Sequence, residues 1–320
     1  MTLFKTIEEV LSIPSVSYFE NWFINNIIKR FENEPKITIQ QDGFKNTLIK
    51  YNSEINQTFT FQSHIDHPGF IHFGNGRVRA VGKNQPLNVG EQIRFFKYPN
   101  DIGDLATILE VNKKELIVSL PINYPFAIGL FDYKPLDIKK DTMEGRSFDD
   151  TLSSALLVYM LELAIRKNYK NSFSVLFTKA EEEGEIGALV LDKNKLDISK
   201  NMITVEIMAD DGQFGNGIVF REGDLYSKYD PELYFELTGI SSGLKRYDDK
   251  YNYQIIDNHY PGKTEAFIFS SYGYKTIVIC MATKNKHNND RSIWEPKPEI
   301  VSKNDLLSMA KFLNVLIKKE

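Results

Sequence analysis

The sequence predicts an α/β fold that is interrupted by an inserted β domain, and two observations lead to this prediction. Helix-like and strand-like segments alternate over the first 70 residues and again from Asp149 onward, as in a sheet covered by helices. Between residues 71 and 145, short β-like runs are separated by Gly, Pro and Asn, without a convincing helix. We therefore expect an α/β domain built from residues 1–70 and 146–320, and a small β-barrel or sandwich at residues 71–145.

The segment 146–188 is the centre of the predicted α/β domain. Apolar residues recur three and four apart between Thr151 and Lys167, which indicates a helix with one buried face. The run SFSVLF at residues 172–177 is short, apolar and rich in β-formers, as in a buried strand. Further strands are predicted at residues 57–63, 202–208 and 276–282, and further helices at residues 185–192, 230–242 and 264–272.

Short local patterns predict where other elements begin. Ser17 and Glu20 have the spacing of a capping box, and Ser302 and Asp305 repeat that spacing before the last helix. The segments KITIQQ and FKNTLIKY flank an Asp-Gly turn, which predicts a β-hairpin. These elements would complete the α/β domain on both sides of the insertion.

Composition and charge exclude several classes of partner. Hydrophobic residues make up 42% of the chain, while 39 Lys and Arg against 43 Asp and Glu give a net charge of -4. Because no basic run is present, we expect neither nucleic acid nor a membrane as a partner. Cys280 is the single cysteine and lies in an apolar run, so a buried, inert thiol is expected. The absence of a signal-like start and of an apolar run near 18 residues leads us to expect a cytoplasmic protein.

Histidines and acids follow or end several predicted strands, which places them at one edge of the sheet. In an open α/β sheet, this edge is where ligands bind. Five acids at two loop positions would repel each other without a cation between them, and two histidines with three carboxylates can hold a pair of divalent ions. One further glutamate would then be available as a general base. The residues that form this set are His64, Asp149, Glu181, Glu182, Glu206 and His287.

Each of these residues also has a plain structural interpretation when it is taken alone. Asp149 and Asp150 are expected as acids at a helix N-terminus, and residues 181–183 as a solvated charge run. His287 alone would be a surface histidine, and Glu206 alone a buried acid with a hydrogen-bond partner. The metal hypothesis therefore depends on the combination. We leave the other three histidines, His67, His72 and His259, outside the predicted site.

Three motifs have counterparts in one family of enzymes. The segment HIDHPGF resembles His-x-Asp-Glu-x-Gly-Phe, SFDDTLSSALL resembles Leu-Asp-Asp-Arg-x-Gly, and FTKAEEEGEIGA resembles Phe-Thr-x-x-Glu-Glu-x-Gly-x-x-Gly-Ala. These are motifs of the TET-type, glutamyl and deblocking aminopeptidases, which are dinuclear zinc exopeptidases. The order and spacing extend through VEI to the segment TEAFIFSSYGYKTIVICMATKNKH, so the resemblance covers nearly the whole chain.

The resemblance implies a role for each residue of the predicted set. Asp149 would bridge two metal ions, with His64 and Glu206 completing one site and Glu182 and His287 the other. Glu181 matches the general base of the family, and Asp66 matches the residue that orients the first histidine. A cis peptide bond between Asp149 and Asp150 is implied as well.

The resemblance also implies a fold, a cofactor and partners. The fold would be a phosphorylase/hydrolase-like mixed sheet with an inserted small β-barrel. The cofactor would be two divalent ions per chain, with zinc favoured over cobalt and manganese. Short peptides would be the substrates of an aminopeptidase, and the inserted domain would join copies of the chain into a homo-oligomer.

Several positions depart from the family motifs and leave rival functions open. Glu206 stands where the family usually has Asp, Thr151 where it has Arg, and His67 where it has Glu. The insertion is also shorter than expected for the family. A carboxypeptidase or deacylase on the same scaffold is therefore one alternative. A metal-binding interaction protein without peptidase activity is the other.

Overall fold

A large mixed β-sheet forms the centre of the protein in the computed structural model, which describes residues 2–119, 126–209, 213–256, 259 and 262–318. Helices cover both faces of this sheet, and a closed β-barrel is inserted into it. The described helices are α1 (Leu3–Leu11), α2 (Asn21–Phe31), α3 (Thr151–Lys167), α4 (Ile186–Leu189), α5 (Pro231–Tyr247), α6 (Ala266–Ser271) and α7 (Lys303–Lys318). None of these helices has the length and apolar character needed to cross a membrane.

The described strands form the main sheet, the barrel and a short hairpin. In chain order they are β1 (Ile37–Gln41), β2 (Thr47–Tyr51), β3 (Thr60–His64), β4 (Gly69–His72), β5 (Arg77–Val81), β6 (Gln92–Phe96), β7 (Asp104–Asn112), β8 (Glu115–Val118), β9 (Ala127–Phe131), β10 (Asp137–Ile138), β11 (Thr142–Gly145), β12 (Phe173–Thr178), β13 (Asn201–Ala209), β14 (Ile218–Arg221), β15 (Tyr253–Ile256), β16 (Lys275–Lys284), β17 (Asn289–Asp290), β18 (Glu295–Pro296) and β19 (Glu299–Ser302).

The main sheet has the order β1-β2-β12-β3-β13-β16-β19-β11-β10, with β14 and β15 attached beside β16. Its central strands β12, β3, β13 and β16 are parallel to their neighbours, so their carboxyl ends lie at one edge. The predicted hairpin is confirmed as the antiparallel pair β1 and β2. Chain segments that are distant in sequence therefore meet at the edge where the predicted site residues lie.

Alternating residues of the central strands pack into two separate cores. Ile49 and Val175 belong to the larger core, which also contains the buried faces of α1, α3 and α7. Leu48 and Leu176 point to the opposite face and pack with Ala188 and residues of α6. This arrangement explains why β12 reads as a continuous apolar run, because both of its faces are buried.

The inserted strands close into a barrel with the order β4-β5-β8-β7-β6-β9. Its interior is filled by apolar side chains such as Phe70, Phe95 and Phe131. The inserted strands thus have their own core. Their closed pairing makes them a barrel rather than the alternative of a sandwich. After the barrel, β10 and β11 return to the main sheet, where β11 pairs with β19.

Neither predicted capping box closes, although Ser302 Oγ accepts from the backbone N–H of Asn304 at 3.2 Å and so caps the start of α7. The helix α2 begins at Asn21, and the Ser17 hydroxyl instead donates to Asp66 Oδ2 at 2.7 Å. Glu20 Oε1 accepts from the backbone N–H of Ala180 at 3.0 Å. Asp305 accepts from two backbone N–H groups before β14 rather than from its own helix. Ser17, Glu20 and Asp305 thus bind partners distant in sequence instead of closing a cap.

Candidate metal centre

His64 is the last residue of β3, and its imidazole ring is held by Asp66. The ring Nδ1 donates to the backbone carbonyl of Asp66 at 3.1 Å and lies 3.5 Å from Asp66 Oδ1. In the neutral ring, Nε2 then has the free lone pair, and it faces Asp149 Oδ1 at 3.5 Å and Glu206 Oε1 at 3.8 Å. This is the usual arrangement of a metal-binding histidine, whose second nitrogen is fixed by a hydrogen bond.

Asp149 lies at the centre of the cluster, just before α3. Its peptide bond to Asp150 is cis, as the resemblance implies. While Oδ1 faces His64, Oδ2 lies 3.0 Å from His287 Nε2. Asp150 is turned away from this contact, and its Oδ2 accepts from the Ser63 hydroxyl at 2.6 Å. Asp149 therefore has one carboxylate oxygen toward each histidine.

The loop after β12 brings two glutamates to the cluster. Asp66 accepts from the backbone N–H groups of Glu181 at 2.9 Å and Glu182 at 3.1 Å, which fixes the start of the loop. Glu182 Oε1 then lies 2.9 Å from His287 Nε2, and Glu181 Oε2 lies 3.9 Å from His64 Nε2. A single buried carboxylate, Asp66, thus positions both a histidine and the two glutamates.

His287 and Glu206 come from the two strands on the other side of β3. His287 lies in a short 3-10 turn after β16, where residues 285, 287 and 288 all have positive φ, and this sharp turn directs the ring back to the sheet edge. Glu206 lies within β13, three residues before its last residue, close to the carboxyl end at which the sequence predicts it. Its longer side chain still reaches the cluster beside His64.

The cluster has the donor set of a divalent metal site. Two groups of three side chains each offer ligand atoms within 4.8 Å of one another: His64, Asp149 and Glu182 in one, and His64, Asp150 and Glu206 in the other. Among the described residues, both Asp149 carboxylate oxygens, Glu182 Oε1 and His287 Nε2 are buried without a hydrogen-bond partner. Imidazole nitrogens and carboxylate oxygens are ligands of zinc and related ions, so these residues fit such a group.

The electrostatics of the cluster also favour a bound cation. Burial and the neighbouring Glu182 and Glu206 charges raise the pKa of Glu181 well above its usual range, although His64 opposes them. Burial would lower the pKa of His287, but Glu182 and Asp149 raise it to about 10. The carboxylates of the cluster therefore outnumber its positively charged groups, and a bound divalent ion would reduce the repulsion between them.

Glu299 holds two predicted ligands in place, and it was not among the predicted site residues. Its carboxylate accepts from the backbone N–H groups of Phe148 and Asp149, the latter at 3.1 Å, and from that of His287 at 2.7 Å. The residue is fully buried at the start of β19. The sequence feature that could have identified Glu299 is its place after Pro298 at the start of a strand. Its backbone partners are too distant in sequence to be inferred from that feature.

We expect Glu299→Gln to weaken zinc binding by about 10- to 100-fold, the range found when groups that orient metal ligands are replaced. The amide would direct an N–H group at backbone donors, so the segments bearing Asp149 and His287 would shift. Metal content after dialysis against buffered zinc measures the effect. The exposed Glu295→Gln is the matched control, and equal metal content in both variants would contradict this role.

Two further residues of the cluster were not predicted. His67 is buried, and its Nδ1 donates to the backbone carbonyl of Asp149 at 2.5 Å, so it supports the segment that carries this residue. Lys286 Nζ lies 2.8 Å from Asp149 Oδ2. Its position directly before His287 is the sequence feature that could have identified it.

Cys280 is buried as expected, and burial raises the pKa of its thiol well above the usual value.

A cavity of about 410 Å³ opens beside the cluster. Glu181, Glu182 and His287 form its inner wall, while Lys83, Lys263 and Arg291 are among the basic residues that line the remainder. Because the cavity adjoins the predicted ligands directly, a molecule bound there would lie next to the cluster.

An α/β sheet with a barrel insertion and a buried histidine and carboxylate cluster at its strand ends is the arrangement of a metallo-exopeptidase. The sequence profile of the M42 glutamyl aminopeptidase family matches residues 99–296, which is more than half of the chain. The chain therefore belongs to the M42 glutamyl aminopeptidase family. Among curated proteins, none matches the chain by sequence.

Solved structures confirm the predicted fold. The chain superposes on the Pyrococcus horikoshii TET1 peptidase, which assembles into a tetrahedron or a large octahedral shell, with a TM-score of 0.79, 18% identity and 100% of both chains covered. A TET aminopeptidase from a marine sediment thaumarchaeon gives a TM-score of 0.79 at 15% identity, covering 99% of this chain and 97% of that one. An aminopeptidase from Desulfurococcus kamchatkensis gives 0.75 at 15% identity, covering 99% and 95%.

Proposed function

We propose that this protein removes N-terminal residues from short peptides with the aid of two divalent ions and with Glu181 as the general base. The observation that carries the proposal is the convergence of the predicted ligands around Asp149, with one carboxylate oxygen toward each histidine. The proposed ligands are His64 and Glu206 for one ion, Glu182 and His287 for the other, and Asp149 for both. Zinc is the preferred assignment, although cobalt and manganese accept the same donors.

When bound, the two ions would supply a Lewis acid that lowers the pKa of water and polarises the scissile carbonyl. Glu181 lines the cavity and has its carboxylate 3.9 Å from His64, so it can take a proton from the attacking water and pass it to the leaving amine. Asp66 holds the Glu181 backbone, which positions the base, and keeps the His64 ring in one orientation.

A peptide panel separates this proposal from its rivals. We expect stepwise release of N-terminal residues from a free peptide, no reaction when its amine is acetylated, and unchanged cleavage when its carboxyl end is amidated. Cleavage that requires the free carboxyl end would favour a carboxypeptidase, and release of the acetyl group a deacylase. Tight metal binding without cleavage of any peptide would favour the inactive interaction protein.

The charge of the cavity supports a preference for an acidic N-terminal residue, in line with the glutamyl aminopeptidases of the family. Lys263 is paired with Glu185, so part of the basic charge is already compensated. Lys83 and Arg291, in contrast, have no ion pair with any described residue and both line the cavity. A glutamate side chain entering the cavity would supply their counter-charge.

We expect Arg291→Met and Lys83→Met to lower kcat/KM for a glutamyl peptide by about tenfold each, the loss of one charge-assisted hydrogen bond. The same variants should leave a leucyl peptide within about twofold, because no carboxylate then needs a partner. Lys113→Met, an exposed lysine of the barrel, is the control. Equal losses of kcat/KM on the glutamyl and leucyl peptides would contradict the proposed preference for an acidic N-terminal residue.

We also propose that the insertion predicted at residues 71–145, whose barrel consists of β4 to β9, is a domain through which copies of the chain form a homo-oligomer. Large apolar side chains are exposed on this segment, including Tyr98, Ile102 and Phe126, the second of them to 88%. Exposed side chains of this size on one segment, together with the shell assembly of the similar TET1 peptidase, support an association between copies. Light scattering of the purified chain measures the number of copies in the assembly. The cytoplasmic location of the protein stays a prediction.

A further inference from the structure

Lys286 places a fixed positive charge inside the candidate metal centre. The residue directly precedes His287, and only 15% of its side chain is exposed. Its Nζ lies 2.8 Å from Asp149 Oδ2 and 4.0 Å from Glu206 Oε1, and it donates to the backbone carbonyl of Ile207 at 2.9 Å. The ammonium group is thus anchored among carboxylates to which we assign metal binding.

The ammonium group divides the cluster into two unequal halves. Asp149 Oδ2, which contacts Lys286, is also the oxygen that lies 3.0 Å from His287 Nε2, and Glu182 Oε1 lies 2.9 Å from that same nitrogen. An ion held by these three atoms would therefore share a ligand oxygen with the ammonium group. On the other side, Asp149 Oδ1 faces His64, and there the ammonium group lies 4.0 Å from Glu206 Oε1, a longer approach than its 2.8 Å to Asp149 Oδ2.

We propose that Lys286 is a tethered cation that competes with the ion at the His287 and Glu182 end of the site. This inference rests on the proposed two-ion function and adds that the two ions bind with unequal affinity. A divalent ion and an ammonium group repel each other when they share one oxygen. For the second ion to bind, the lysine must withdraw from Asp149 and give up its bond to Ile207.

Zinc titration of the metal-depleted full chain tests the proposal by calorimetry, with bound zinc counted by elemental analysis. We expect the unmodified protein to bind one ion tightly and a second at least tenfold more weakly. In Lys286→Met the second step should tighten by tenfold or more, because the side chain keeps its length but loses its charge. Lys286→Arg keeps the charge and should retain the weak second step.

Lys284→Met is the matched control, since it removes the same charge two residues away on an exposed side chain that lies over Phe214. Both of its binding constants should stay within about twofold of the unmodified protein. Two equal steps in the unmodified chain, or an unchanged second step in Lys286→Met, would overturn the inference and leave the proposed function intact. Failure of the unmodified chain to bind zinc would instead remove the proposed function itself.

Discussion

Glu181→Gln is expected to reduce peptide hydrolysis by about 10²- to 10⁴-fold, the range for loss of a general base, while zinc remains bound. The amide keeps the size of the side chain but cannot accept a proton from water. Glu181 is not among the proposed metal ligands, so the metal content should stay unchanged. Initial rates on an unblocked peptide and elemental analysis of the same sample measure the two effects.

Glu183→Gln is the matched control for this prediction. Glu183 belongs to the same run of acids, but its carboxylate accepts from the backbone of Gly82 and lies 3.7 Å from Lys114, outside the cluster. Its replacement should leave the rate within a few-fold, because the amide oxygen can still accept from Gly82. If Glu181→Gln with full metal content hydrolysed peptides normally, the assignment of the base would be wrong.

Asp149→Asn is expected to remove most bound zinc and, with it, the stabilisation that zinc gives to the folded protein. Asp149 is the proposed ligand common to both ions, so its loss affects both halves of the cluster. Zinc at a thousand times its Kd would stabilise the unmodified fold by about 4 kcal/mol. Thermal unfolding with and without a chelator should therefore differ for the unmodified chain and coincide for the variant.

Asp150→Asn tests the choice between the two adjacent aspartates. Asp150 is in one of the two groups that could hold a metal ion, yet its carboxylate accepts a hydrogen bond from Ser63. We expect this variant to keep its fold and its zinc per folded chain, because the amide oxygen can still accept from Ser63. Loss of zinc equal to that of Asp149→Asn would transfer the ligand role to Asp150.

The sequence predicted the parts of the fold that depend on local pattern. The apolar run at β12 identified a strand buried on both faces, and the periodicity after Thr151 identified α3. Acids and histidines that followed or ended such strands were expected to meet, and the parallel order of β12, β3, β13 and β16 brings them together. Glu206 lies near the carboxyl end of β13, and its side chain reaches the cluster from there.

The parts that the sequence did not predict depend on contacts between distant segments. Glu299 accepts from the backbone N–H groups of Asp149 and His287, and no local sequence pattern at Glu299 predicts those partners. Ser17 has a capping spacing, yet the buried Asp66 carboxylate takes its hydroxyl. The same applies to Lys286, whose contact with Asp149 depends on the turn at His287 that directs its side chain inward.

The order in which the cluster residues occur along the chain determines when the site can be completed during biosynthesis. More than 200 residues separate His64 from His287, and Glu299 comes later still. At about 5–20 residues per second, a ribosome would need on the order of 10–45 s to cover that interval. The nascent chain therefore carries the first histidine and the acids well before the second histidine exists. The His287 end of the centre can thus be completed only late in maturation, and a chain truncated before β16 would lack one of the five proposed ligands.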